Sequence, residues 1–204
     1  MLLSDREIVK YCGYTTEEST HPFMIAPMIP HQVSRVDGKP IVSYGLSSYG
    51  YDVRLSSEFK IMRLLHEQGR SLLSVPIDPL HPSDDNYVDI KPDEDGSVTI
   101  PAGGFLLGAT LEYFNIPREV LVVCLGKSTY ARLGLNVIVT PLEPEWSGQV
   151  VLELSNTGTR PVKVYAGQGI AQFLFHFNPL GCQVSYRDRR GKYDNQHGVV
   201  TSKV

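Results

Sequence analysis

Two groups of residues in the middle of the chain have the composition of a reaction site. One is Glu153, a single carboxylate inside the apolar run Gln149-Val150-Val151-Leu152-Glu153-Leu154-Ser155. In an extended strand alternate residues share a face, so Val150, Leu152 and Leu154 supply a core face while Glu153 projects the other way with Val151. Glutamate is disfavoured in strands. A carboxylate here either faces solvent or lines a pocket, and partial burial would lift it into the range of a general base. The second group is Gly126-Lys127-Ser128-Thr129-Tyr130-Ala131-Arg132. Arg132 follows Ser128 by four residues, so one helical turn would set both on one side. Hydroxyls, a point charge and a guanidinium fork suit phosphate, although the same residues would serve as a capped turn with surface cations. No GxxxxGK[ST] loop is present, and no Ser-His-Asp set is readable among the six histidines.

The surrounding pattern is dense in short strands. Val98–Pro117 reads as strand, glycine turn, strand. Val120–Leu125, Leu135–Thr140, Gln149–Ser155, Val162–Tyr165 and Ile170–Phe177 follow, separated by Gly, Pro or Asn-Thr-Gly. Short β-branched and aromatic runs at this spacing predict an all-β sandwich or barrel. The sequence Ser4-Asp5-Arg6-Glu7 is an S-x-x-E start for a short helix over about 4–12. The prolines at 22, 27, 30 and 40 predict an irregular arm over 14–40, and the polar 66–97 region predicts surface loops with short extended pieces. Thr140–Gly148 forms a proline-stiffened loop with the sole tryptophan, Trp146, as its anchor. The basic, aromatic tail from about 186 to 204 is too polar for core. It is expected to order on a ligand or a neighbour.

Composition narrows the classes further. The 204 residues are 42% hydrophobic and 20% charged, as expected for one globular domain spanning 1–204, with an N-terminal helix and arm over about 1–43. A formal net charge of −3 gives no broad nucleic-acid surface. The three cysteines are far apart and lack zinc-site spacing, which suits reduced, buried thiols and a cytoplasmic protein. No run approaches the length of a membrane span, and no signal peptide is expected.

Taken together, GKSTYARLGLNVIVTPLEPEWSGQVVLELSNTG resembles the dCTP deaminases of the dUTPase superfamily. Their pattern is G-[RK]-S-[ST]-x-[AG]-R, a hairpin loop ending in W-x-G, and a strand carrying Leu-Glu. The likeness extends to SSYGYDVRLSSEFKI and to SYRDRRGKYDNQHG, and so covers most of the chain. It implies a distorted jelly roll or β-barrel of the dUTPase-like type and a homotrimer with active sites between subunits. The implied reaction is hydrolysis of dCTP to dUTP and ammonia, with Mg²⁺ on the triphosphate, no zinc, and dTTP as a possible inhibitor. The H-x-E…P-C-x-x-C pattern of zinc deaminases is missing. By the same resemblance Glu153 is the proton shuttle, with Ser128 and Arg132 beside the base and the attacking water. Lys127, Ser128 and Thr129 fall on the phosphate side, with Tyr130 and Ala131 in the same substrate-binding segment. Glu143 stands at the deoxyribose, where relatives often carry Asp. Val151 and Leu152 offer backbone contacts to the base. Gln172, Tyr186, Lys192 and Gln196 complete the nucleotide contacts. The rival readings are a dUTPase or bifunctional dCTP deaminase/dUTPase and a non-catalytic nucleotide-binding barrel. Bifunctional relatives tend to carry T-A-G-[FW]-I-D where this chain has TPLEPEW, which favours the deaminase alone.

Overall fold

The computed structural model describes residues 1–13, 23–65, 69 and 71–204. Part of the expected arm (14–22), with His21, and part of the loop region (66–68 and 70), with His66, lie outside the described residues. A short helix α1 (Asp5–Tyr11) opens the chain. The Glu7 carboxylate secures its first turn by accepting the Ser4 amide at 2.8 Å and the Ser4 hydroxyl at 2.9 Å. Strands then follow as β1 (Ile25–Ala26), β2 (Gln32–Val36), β3 (Lys39–Ser47), β4 (Gly50–Met62), β5 (Tyr87–Ile90), β6 (Ser97–Ile100), β7 (Phe105–Asn115) and β8 (Val120–Gly126). One helical turn α2 (Ser128–Ala131) precedes β9 (Leu135–Ile138), β10 (Ser147–Asn156), β11 (Val162–Tyr165) and β12 (Gly169–Phe177).

The larger sheet runs β2-β3-β4-β7-β10-β9, with β1 on β7, β5 on β4, and β12 joining β4 to β8; β6 and β11 pair separately. Every one of these pairings is antiparallel. Strand β4 makes the sheet curl. Its first half lies against β3 and β12, and its second half against β5 and β7. The result is a curled, half-barrel sheet, as the short-strand pattern predicts. Val150, Leu152 and Leu154 point into the core, which also holds Phe114 and Phe173 with ring centroids 5.1 Å apart.

The predicted irregular arm is corrected in its second half, where β2 and β3 form a hairpin. Asp37 and Gly38 at its tip have φ of 50° and 76°. This Asp-Gly pair is the local signal for a tight hairpin, and the surrounding prolines masked it. Pro40 is tolerated because it sits at the start of the hairpin, opposite Arg35.

Among the described residues the core holds a fully buried carboxylate. Glu112 on β7 accepts the Arg54 Nε at 2.7 Å, the Arg54 amide at 3.0 Å and the Tyr51 hydroxyl at 3.3 Å. Burial pushes the Glu112 carboxyl up, and Arg54 opposes that shift. The three cysteines are free thiols. Cys12 is buried, whereas Cys124 and Cys182 are only half-buried.

Candidate active site

Glu153 sits mid-strand on β10, beside Leu107 of β7 and Ile138 of β9. Its side chain leaves the core face and enters a cavity of about 350 Å³. The floor is apolar, from Phe105, Leu107 and Val151; the rim is the Thr140–Trp146 loop; the C-terminal tail closes one side. Glu153 Oε2 is buried and has no hydrogen-bond partner among the described residues. Desolvation raises this carboxyl to about 7, against a smaller opposing contribution from its own amide. A carboxyl poised there can accept and return a proton near neutral pH.

A shift in register next to Glu153 shapes the cavity. Between Gln149 and Val151 the β10–β7 pairing slips. The Thr110 hydroxyl fills the gap, accepting the Val150 amide at 2.9 Å and donating to the Glu112 carbonyl at 2.7 Å. Gly148 precedes the slip with φ of 144°, and a Cβ there would lie 2.9 Å from the Gln196 carbonyl oxygen. Only glycine lets the tail pass so close.

The tail is tied to this strand and loop at many points. The Gln149 amide donates to the Gln196 carbonyl at 3.0 Å, and the Gln196 side-chain amide donates back to the Gln149 carbonyl at 2.8 Å. Trp146 donates its indole N–H to the Tyr193 carbonyl at 2.9 Å. The Tyr186 hydroxyl accepts the Tyr193 amide at 3.0 Å, and Arg189 pairs with Glu143. Further along, the ammonium groups of Lys192 and Lys203 lie 5.4 and 5.7 Å from the centre of the Tyr193 ring.

Of the residues singled out from sequence, Glu143, Val151, Glu153, Tyr186 and Gln196 line this one cavity. Leu152 and Tyr130 point into the core. The remaining residues lie elsewhere in the same chain. Ser128, Thr129, Ala131 and Arg132 are exposed on and beside α2, with the Arg132 guanidinium donating to the Ser128 carbonyl at 3.3 Å. Lys127 is shielded and ion-paired to Asp52 at 2.5 Å. Gln172 donates to the Ser47 hydroxyl at 3.2 Å, and Lys192 lies outside the cavity wall. Sequence reasoning missed Tyr87, Phe105, Leu107, Tyr193 and the 200–202 segment as cavity residues. It also missed Asp52 as the partner of Lys127. The aspartate lies within the quoted SSYGYDVRL stretch, but only the β4–β12–β8 pairing brings it beneath α2.

A curled antiparallel sheet bearing a desolvated carboxylate in a loop-rimmed cavity defines a β-class enzyme scaffold. Residues 19–178 match the model of the dCTP deaminase-like family. The chain is 51% identical over 181 residues to the dCTP deaminase of Acidovorax sp. (strain JS42), covering 89% of this chain and 91% of that protein. It is 52% identical, at the same coverage, to the dCTP deaminase of Cupriavidus necator. The 2'-deoxycytidine 5'-triphosphate deaminase structure from Agrobacterium tumefaciens shares the fold with a TM-score of 0.53 at 15% identity. That match covers 87% of this chain and 48% of the longer one. This chain therefore belongs to the dCTP deaminase family of enzymes. Among the described residues no helix is long and apolar enough to cross a membrane.

Proposed function

We propose that this protein hydrolyses the 4-amino group of dCTP, giving dUTP and ammonia. The observation that carries this reading is Glu153, with its unpartnered Oε2 inside the cavity and its carboxyl raised to about 7 by desolvation. The ionised carboxylate takes a proton from water as the oxygen attacks C4 of the cytosine. The resulting Glu153 acid passes that proton to N3 and then takes the second hydroxyl proton across to the amino group. The C4–N bond breaks and ammonia leaves, with one water consumed per dCTP. Proton handling of this kind contributes ~10²–10⁴-fold.

The base lies against the Val151 edge of β10, where Val151 and Leu152 present backbone groups. The sugar faces Glu143, and Tyr186 and Gln196 close over the nucleotide from the tail. Lys192 approaches the triphosphate. The dCTP-bound ion is Mg²⁺, which neutralises phosphate charge. It would enter with the triphosphate and take no ligand from this chain, where Glu143 on the cavity rim is already paired with Arg189. The H-x-E…P-C-x-x-C pattern needed for a zinc-bound water does not occur in the sequence.

The active unit is a homotrimer. Ser128 and Arg132 lie outside the cavity that Glu153 enters, and both are exposed on the surface of a single copy. A neighbouring copy brings them, with Thr129 and Gln172, to the base and phosphates. There Ser128 orients the water and Arg132 fixes the carboxylate. The reaction belongs in the cytoplasm, where dTTP competes for the same cavity. Incubating the protein with dCTP, CTP, dCMP and dUTP, each with Mg²⁺, and assaying ammonia and pyrophosphate separately tests this reading. Ammonia from dCTP without pyrophosphate is the expected result. Pyrophosphate release would point to the bifunctional enzyme, and neither product to a nucleotide-binding protein.

A further inference from the structure

A tyrosine from a distant strand reaches the Glu153 cavity. Across the sheet, Glu153 lies beside Leu107, Leu107 beside Lys60, and Lys60 beside Asp89. Two residues along those last strands, Met62 faces Tyr87. A two-residue step returns to the same face of a sheet. Tyr87 therefore shares a face with Glu153, although β4 and β7 stand between them. The curl of the sheet brings it to the cavity that Glu153 enters, where it joins Phe105 and Leu107 in the wall. The phenol is raised by burial and then by the nearby Glu153 carboxylate.

Within one copy, the groups around Glu153 leave water exclusion as the dominant influence on it; the Arg132 guanidinium that the proposed trimer brings from a neighbouring copy opposes that influence equally in every Tyr87 variant. Its register neighbours Leu107 and Ile138 carry no charge. The Cys124 thiol of β8 is raised to about 12 by burial and then by the charge of Glu153, so the thiol stays neutral. Glu143, Tyr186 and Tyr193 line the same cavity, and among the described residues no lysine or arginine does. Lys60, the nearest cation by register, is engaged by Asp89 at 2.7 Å.

We propose that Tyr87 is a positioning residue for the deamination, its ring walling the Glu153 side of the cavity so that bulk water is kept off the carboxylate. The proposal rests on Glu153 as the general base. Tyr87 acts through that group and not on the nucleotide. The ring, not the hydroxyl, performs this role, because an apolar wall is what denies solvation to the charged form.

The test is the pH dependence of kcat/KM for ammonia release in Tyr87→Ala, Tyr87→Phe and Glu153→Gln, with kcat and KM separated. In Tyr87→Ala the acid limb should move down by about one pH unit or more, and kcat should fall about 10-fold while KM changes less. Tyr87→Phe should restore both the limb and kcat. If Tyr87→Ala does not fold, Tyr87→Gln fills part of the space with a polar amide that wets the wall, and its limb should move down as well. An unmoved acid limb in the unfilled or wetted variant overturns the proposal, as does Tyr87→Phe behaving like Tyr87→Ala. Turnover by Glu153→Gln would instead overturn the general-base reading, and this proposal with it. An inactive Glu153→Gln beside an unmoved limb sinks the Tyr87 role alone.

Discussion

Lys127 and Asp52 form an ion pair of 2.5 Å directly beneath α2, with side chains only 11% and 3% exposed. Gln32 also donates to Asp52 at 3.2 Å. Lys127 thus begins the segment that carries Ser128 and Arg132, and its charge is already matched within the fold. Removing one partner of a shielded pair strands the other charge, at a cost of about 3–5 kcal/mol. Asp52→Ala should therefore lower the melting temperature and displace α2. We expect kcat/KM for dCTP to fall at least ~10-fold through loss of positioning. Unchanged melting and kinetics would show that the pair anchors nothing.

Glu153 should make the protein less stable as pH rises. Its folded value, about 7, lies above the ordinary carboxyl value of 4.5. The neutral form therefore suits the fold, so this stabilising contribution is complete below about 4.5 and is lost as pH climbs through 7. Glu153→Gln should melt higher than the parent at pH 8, by on the order of 1–3 kcal/mol, and should match it near pH 4. Calorimetry across that range measures the difference. A variant less stable at pH 8 would contradict the burial argument.

Arg54 should matter for stability alone. It is the cation that compensates the buried Glu112. Arg54→Met leaves that carboxylate unpaired, which costs about 3–5 kcal/mol. A chain of this size should lose on the order of 10 °C in melting temperature. Urea unfolding of the variant checks the figure, and a shift below about 1 kcal/mol would show that Glu112 is satisfied by other groups.

Mixing two inactive variants tests the division of the site between copies. Glu153→Gln retains Arg132, and Arg132→Ala retains Glu153. If the two residues meet across a subunit boundary, random reassembly restores ~25% of sites to native composition. Activity recovered after co-refolding would support the shared site. A mixture as inactive as its parts would place both groups within one copy.

The sequence makes the central strand legible because its periodicity is strict. Alternation in Val150–Leu154 places Glu153 opposite the core face, and that is its observed position. The capping residues likewise mark α1. The β2–β3 hairpin is hidden because the prolines around it outweigh the two-residue Asp-Gly signal. Tyr87 is hidden for a different reason: it joins the cavity through the β5–β4–β7–β10 register, a product of long-range pairing that no local pattern encodes. The same is true of Asp52 under Lys127. The tail's glutamine and tyrosine are recognisable as ligand-type residues, but their path along β10 depends on the close approach at Gly148.

The most direct test of the general-base claim is ammonia release from dCTP by Glu153→Gln, measured alongside dCTP binding by titration calorimetry. Turnover should fall by ~10²–10⁴-fold or more while binding changes little, because the amide fills the same space but cannot take the proton from water. Ammonia release at close to the parent rate would contradict that claim.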